Sequence, residues 1–194
     1  MRLPEVEHGD TIRAKTLIRL ISAMSGMRLP DAARVAFYDK KFVGPVFGAW
    51  TQRAMRGPSE WTVGERELMA AMVARWNSGA FCGGAHTATA RRGSADAKIV
   101  DACLAEYRTA PISEPLRATL AFLEKLSMRP AELSKADAEA ALSAGVTASQ
   151  LADASAVAAL FNAITRYADA LGFEVPSDAD FDKAAGMLLK RGYN

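Results

Sequence analysis

The feature that most restricts the fold of this 194-residue chain is a helix, a break and a second helix between Thr62 and Arg92. Thr62-Val63-Gly64-Glu65 has the S/T-x-x-E form of a capping box, which predicts a helix opening at Val63 and running through apolar residues to Trp76. Asn77-Ser78-Gly79 then breaks it. A second helix starting near Ala80 carries Cys82 in its first turn and His86 four residues later, on the same face. If the chain reverses at residues 76–78, Glu67 lies about as far before the turn as His86 lies after it, because helices rise ~1.5 Å per residue. Antiparallel packing then sets Glu67 beside His86. Glu67, Ala70, Ala71 and Ala74 form one stripe, and Cys82, Ala85, His86 and Thr89 another, mostly of small residues that let helix axes approach closely.

That hairpin, residues 63–92, gathers a carboxylate, an imidazole and a thiol. In the order carboxylate, imidazole, thiol, Glu67 would fix the imidazole tautomer and His86 would exchange a proton with Cys82. A cysteine in the first turn of a helix also feels the positive end of the macrodipole, so Cys82 is expected to be the more acidic of the two cysteines. Plainer readings stand beside these. Cys82 would also suit a small core filler, although a filler does not require His86 one turn on and Glu67 opposite, and carboxylates are favoured near helix starts in any case. Glu65 fits the cap better, which leaves Glu67 free. Cys103 reads as a packed helix residue, with a second role as resolver of an oxidised Cys82 if the fold brings the two sulfurs close. His8 lies in a polar segment and reads as solvated. Trp76 and Phe81 read as core or pocket lining. Arg91-Arg92 would either steer an anionic substrate or simply favour the end of its helix.

Elsewhere, abundant alanine and repeated helix starts define an all-α chain with strand patterns nearly absent. A first helix is expected from about Asp10 to Ala23, with breaks at Pro30 and at Gly44-Pro45 to Gly48. Later starts fall after Ser113, after Ser134 with Asp137 at the third helical position, and at the Thr147-Ala148-Ser149-Gln150 capping box. Gly172 closes a long helix, and Pro176 prevents its resumption. Trp76-Asn77 and Phe161-Asn162 form a faint internal echo.

With 50% hydrophobic residues the chain can bury a substantial core, and residues 1–194 read as a single domain. A formal net charge of +2 supplies no basic field of the kind that drives nucleic-acid binding. The first residues have neither the basic start nor the apolar centre of a secretory signal, and no apolar run approaches the ~20 residues of a membrane span. A cytoplasmic protein with no membrane partner is expected. Two cysteines make no disulfide framework, and a reducing compartment keeps them as thiols.

The run E-L-x-x-x-x-V-A-x-x-N-x-x-x-x-C-x-x-x-H, occupied by Glu67, Leu68, Val73, Ala74, Asn77, Cys82 and His86, resembles the core of the alkylhydroperoxidase D and carboxymuconolactone decarboxylase superfamily. Leu116 to Leu126, Ala144 to Thr147 and Ala158 to Gly172 are similar to the C-terminal half of its peroxidase-related members, so the likeness covers roughly residues 35 to 176. It implies an alkylhydroperoxidase D-like helical domain, homo-oligomers such as trimers or hexamers, and a site at Glu67, Cys82 and His86 with no cofactor or metal. One departure stands out. Alkylhydroperoxidase members carry C-x-x-C-x-x-x-H, whose second cysteine attacks peroxide and whose first resolves it, and the first position here is Gly79. The histidine that precedes the reactive cysteine in the best-known members is Phe81.

Three classes of function remain. The first is a thiol-dependent, peroxidase-like antioxidant oxidoreductase, in which Cys82 attacks a peroxide, His86 and Glu67 relay the proton, and an external thiol or Cys103 resolves the product. The second is a cofactor-free, carboxymuconolactone decarboxylase-like lyase or isomerase acting on a small organic acid, with Cys82 lining the pocket. The third is non-catalytic, either an assembly protein or a ligand or metal binder, with a C-x-x-x-H pair and a carboxylate arranged as for zinc.

Overall fold

The computed structural model describes residues 1–38 and 43–193, and among them every regular element is helical. In chain order these are α1 (Pro4–His8), α2 (Ile12–Ser25), α3 (Asp31–Tyr38), a π-type turn (Val43–Phe47), α4 (Gly48–Arg56), α5 (Val63–Trp76) and α6 (Ala80–Gly93). They continue as α7 (Ala97–Glu106), α8 (Glu114–Met128), a 3-10 turn (Pro130–Glu132), α9 (Lys135–Ser143), α10 (Ala148–Leu171) and α11 (Asp178–Arg191). No helix among the described residues is long and apolar enough to cross a membrane.

The helix ends follow from local chemistry. Thr62 Oγ1 accepts from the Glu65 amide while the Glu65 carboxylate accepts from the Thr62 amide, satisfying two amides that the first turn leaves free. The same reciprocal box opens α10 at Thr147 and Gln150, while at the start of α9 the Ser134 amide and hydroxyl both donate to the Asp137 carboxylate. Gly172 ends α10 with φ 64°, a left-handed value that glycine adopts without a Cβ penalty. The first long helix lies slightly later than the expected Asp10 to Ala23, because Thr11 accepts from the Ala14 amide and so caps α2 at Ile12. Before it, Pro4 supports the additional short helix α1, for which its fixed φ is pre-set.

α5 is the central element. Its residues from Arg66 to Ala74 are all buried, so only its ends meet solvent, and α4, α6, α8 and α10 surround it. The expected stripe at Glu67, Ala70, Ala71 and Ala74 is therefore only part of its buried surface: Met69, Ala70, Met72 and Val73 fill the main core with Leu120, Leu123 and Phe161. A second, smaller cluster joins Val6, Val35, Val43, Ala74, Cys82, Ala168 and Phe173. The paired echo has a structural meaning as well: Asn77 Nδ2 donates to Asn162 Oδ1 at 2.7 Å, tying the end of α5 to α10.

Close approach of α5 and α6 depends on glycine at one place. A Cβ on Gly64 would stand 2.6 Å from the Gly93 carbonyl oxygen, whereas a Cβ on Gly83 would meet nothing within 4 Å. Gly64→Ala is accordingly expected to lower the unfolding free energy by about 1–3 kcal/mol through backbone displacement. Gly83→Ala, in the same hairpin, should instead raise it by roughly 0.5–1 kcal/mol. Urea titration of the two variants checks both signs.

Candidate active site

The hairpin places Glu67 against His86 across the α5–α6 seam. Glu67 is 0% exposed, and its Oε2 lies 2.7 Å from His86 Nδ1. Its other oxygen, Oε1, accepts from the Tyr193 hydroxyl at 2.7 Å and pairs with Arg56 Nη2 at 2.7 Å. A buried carboxylate without partners would cost several kcal/mol, so these three contacts are what permit a charge in this position. Burial alone would raise the Glu67 pKa, but the His86 attraction and hydrogen bond, then Arg56 and Tyr193, outweigh it and hold the carboxyl below its usual range. Tyr193 moves the opposite way. Its burial, followed by the Glu67 charge, pushes the phenol well above its ordinary value, so the hydroxyl stays protonated and donates.

The imidazole is clasped by rings. Phe161 of α10 meets it edge-on with centroids 4.3 Å apart, and Tyr193 stacks on it at 6.2 Å and 20°. Because Nδ1 faces an ionised carboxylate, it carries the proton, and Nε2 is left as the nitrogen for chemistry.

The thiol is placed differently from the sequence expectation. Cys82 is in the first turn of α6, but it is buried in the small apolar cluster, and that burial pushes its pKa up to about 11. The Thr165 hydroxyl, which has no other hydrogen-bond partner among the described residues, lowers it in part, and the Asp169 charge raises it further. A first-turn dipole contribution of ~1 kcal/mol is too small to reverse this. The expected acidic thiol is thus a protonated one at neutral pH. No hydrogen bond joins Cys82 to His86. The two residues are one helical turn apart on α6, a spacing at which Cβ atoms stand ~5–6 Å apart.

Gly79 is more than a missing cysteine. A Cβ there would fall inside van der Waals contact of Thr165 Cγ2, so the place of the resolving sulfur is filled by a buried methyl group from α10. Phe81 packs edge-on against Phe173 and Phe181, at 5.2 and 6.1 Å, and anchors α11 to α6. Trp76 packs on Tyr107 in the main core. Cys103 is buried in that same core, in a different cluster from Cys82, and both thiols are free. Arg91 and Arg92 are paired with Asp101 and Asp182, so neither is an open anion anchor. His8 is exposed. Among the described residues no three His, Cys, Asp or Glu side chains converge as metal ligands, so Cys82, His86 and Glu67 do not form the zinc-type set.

Arg56, Tyr193 and Thr165 were not foreseen. Arg56 in the last turn of a helix reads as a dipole partner, and nothing in the local pattern ties Tyr193 to a carboxylate 126 positions earlier. Gly192 was the available signal. It adopts φ 74° and ψ −151°, a turn closed to other residues, and thereby directs Tyr193 inward.

The fold has clear counterparts among solved structures. A peroxidase-related protein from Silicibacter sp. TM1040 superposes with a TM-score of 0.77 and 25% identity, covering 93% of both chains. A peroxidase-related protein with the alkylhydroperoxidase AhpD core, from Ralstonia eutropha JMP134, gives 0.76 and 24%, covering 93% of this chain and 94% of its own. A cysteine-to-alanine variant of the debrominase Bmp8, in complex with 2,3,4-tribromopyrrole, gives 0.71 and 18%, with 93% and 91% coverage. No family model matches the chain. No curated protein matches it either. The resemblance read from the Glu67, Cys82 and His86 run thus agrees with the structural neighbours, and the fold is all-helical and alkylhydroperoxidase D-like.

Two outcomes follow from the thiol environment. Iodoacetamide labelling of Cys82 should climb about tenfold per pH unit from pH 7 to 10, because only the thiolate reacts and its pKa is raised; half-maximal labelling below pH 8 would show a resting thiolate instead. Gly79→Cys should lower Tm by several degrees, and adding Thr165→Ala should recover most of the loss, since the nearest remaining Thr165 atom would be Cβ at 3.4 Å.

Proposed function

We propose that the chain is a thiol-dependent, peroxidase-like oxidoreductase in which Cys82 is the reacting group and His86 with Glu67 moves the proton. The observation that carries this reading is the 2.7 Å Glu67 Oε2 to His86 Nδ1 bond, which commits Nε2 to proton transfer one helical turn from a sulfur. The peroxidase-related neighbours support it, and a debrominase held with 2,3,4-tribromopyrrole supports a small-molecule substrate.

In the reaction, His86 Nε2 takes the Cys82 proton as peroxide enters, since a thiol with a pKa near 11 does not ionise unaided at neutral pH. The sulfur attacks the distal peroxide oxygen, the O–O bond breaks, and an S–O bond forms. The departing alkoxide or hydroxide takes the proton from His86 and leaves as alcohol or water. Sulfur is oxidised to the sulfenic acid and the peroxide is reduced. With Gly79 in place of an adjacent cysteine and Cys103 in a separate cluster, an external thiol attacks the sulfenic sulfur, expelling water. A second external thiol releases Cys82 and leaves as the external disulfide.

A second reading rests on a specific observation: the proton-handling pair is fully assembled while the thiol stands unlinked to it. That arrangement also suits a cofactor-free lyase or isomerase of the decarboxylase kind, with Cys82 lining the site.

Intact mass after one equivalent of peroxide decides between them. A gain of one oxygen confined to Cys82 and absent in Cys82→Ser is expected, with catalytic peroxide consumption falling at least about a hundredfold in that variant. An unchanged mass, with turnover of a lactone or keto acid surviving Cys82→Ser, overturns the peroxidase reading.

A further inference from the structure

The segment after α11 returns to the catalytic hairpin. Gly192 turns at a positive φ against Gln52, where a Cβ would stand 2.9 Å from Nε2 and closer still to Oε1. The next amide, that of Tyr193, donates to Gln52 Oε1 at 2.7 Å. The phenol then reaches Glu67 Oε1 at 2.7 Å, and the Arg56 guanidinium lies 4.9 Å from the centre of its ring. Arg56 is itself held by the Met55 and Leu188 carbonyls while it pairs with the same Oε1. All of these side chains are largely buried, and nothing in the peroxide chemistry above uses Arg56 or Tyr193.

We propose that Arg56 and Tyr193 are positioning residues that lock the Glu67 carboxylate and, through it, hold His86 in the Nδ1–H tautomer, so that Nε2 is the single nitrogen able to take or give a proton. The argument is one of acceptor geometry. A carboxylate can swing about its terminal torsion, and each oxygen can accept from several donors. With a guanidinium and a phenol both on Oε1, Oε1 is saturated and Oε2 is left for the ring. Arg56 cannot lose its proton, and the Tyr193 hydroxyl accepts from Arg56 while giving its one proton to Glu67, so toward the carboxylate both are donors. The imidazole must then donate from Nδ1 as well. Its plane is bounded by Phe161 at 4.3 Å and lies 20° from that of the more distant Tyr193 ring. Tyr193 thereby acts on the tautomer through Glu67, and Gly192 is the turn that delivers it.

The tautomer is read without any assay of activity, which separates this inference from the peroxidase reading on which its catalytic meaning rests. The chain has two histidines, so His8→Gln, at an exposed position, leaves one set of ring-nitrogen resonances in the full-length protein. In that background the 15N spectrum of the neutral ring should show protonated Nδ1 and bare Nε2. Tyr193→Phe combined with Arg56→Gln should lower the Nδ1–H to Nε2–H ratio at least about tenfold, the scale of one lost charge-assisted bond. Gly192→Ala, which keeps both side chains but blocks the turn, should shift the ratio in the same direction. Arg56→Lys should retain more of the original ratio than Arg56→Gln. If the double variant is too unstable to fold, Tyr193→Phe and Gly192→Ala carry the test alone. A wild-type ring with Nε2–H, or folded variants with the unaltered ratio, overturns the proposal. Where peroxide consumption is measurable, kcat should fall in Tyr193→Phe with KM nearly unchanged. Absence of any peroxide turnover in the wild type would defeat the reaction assigned above and leave the tautomer result to stand or fall by itself.

Discussion

A single carboxylate shut off from water organises the centre of this molecule. Glu67 sits on a helix of which only the ends meet solvent, where an ion needs partners in every direction that water would have occupied. It draws one from α6, one from α4 and one from the segment beyond α11. Each charge-assisted bond is worth about 1.5–3 kcal/mol, enough together to offset burial of the charge. The same three bonds join segments far apart in the chain, so the ion that suits proton transfer also serves as a tertiary junction.

The thiol is governed by the opposite rule. Cys82 lies among Val35, Val43, Ala74 and Ala168, where a neutral S–H is favoured and a thiolate is not. A polar core around Glu67 and an apolar one around Cys82 thus meet along one face of α6. The division keeps the sulfur protonated, and His86, one helical turn on from Cys82, belongs to the polar half through its bond to Glu67. Thr165 adds a further constraint, since its methyl group fills the place beside Gly79 and its hydroxyl lowers the thiol pKa.

Much of the architecture was legible before any coordinates, because it rests on short-range signals. The Thr62 to Glu65 cap, the Asn77-Ser78-Gly79 break and the Thr147 to Gln150 cap each act within one helical turn, and each lies where expected. The Glu67 to His86 pairing was legible for the same reason: an antiparallel hairpin with a tight break has little freedom of register. The acidity of Cys82 was misjudged because a first-turn position is a local property, whereas desolvation is imposed by α1, α3 and α10 closing over it. The pairing of Arg91 and Arg92 with Asp101 and Asp182, and the separation of Cys103 from Cys82, were equally outside local reach.

By itself, then, the sequence determined the helices, the hairpin and the meeting of Glu67 with His86, since hydrogen bonds between near neighbours and a 3.6-residue period act along the chain. Only the tertiary structure decided the charge state of the sulfur, the occupant of the space beside Gly79, and the arrival of Arg56 and Tyr193 at the carboxylate. These depend on which distant surfaces exclude water from a given atom, and burial is a property of the assembled fold rather than of any segment in it.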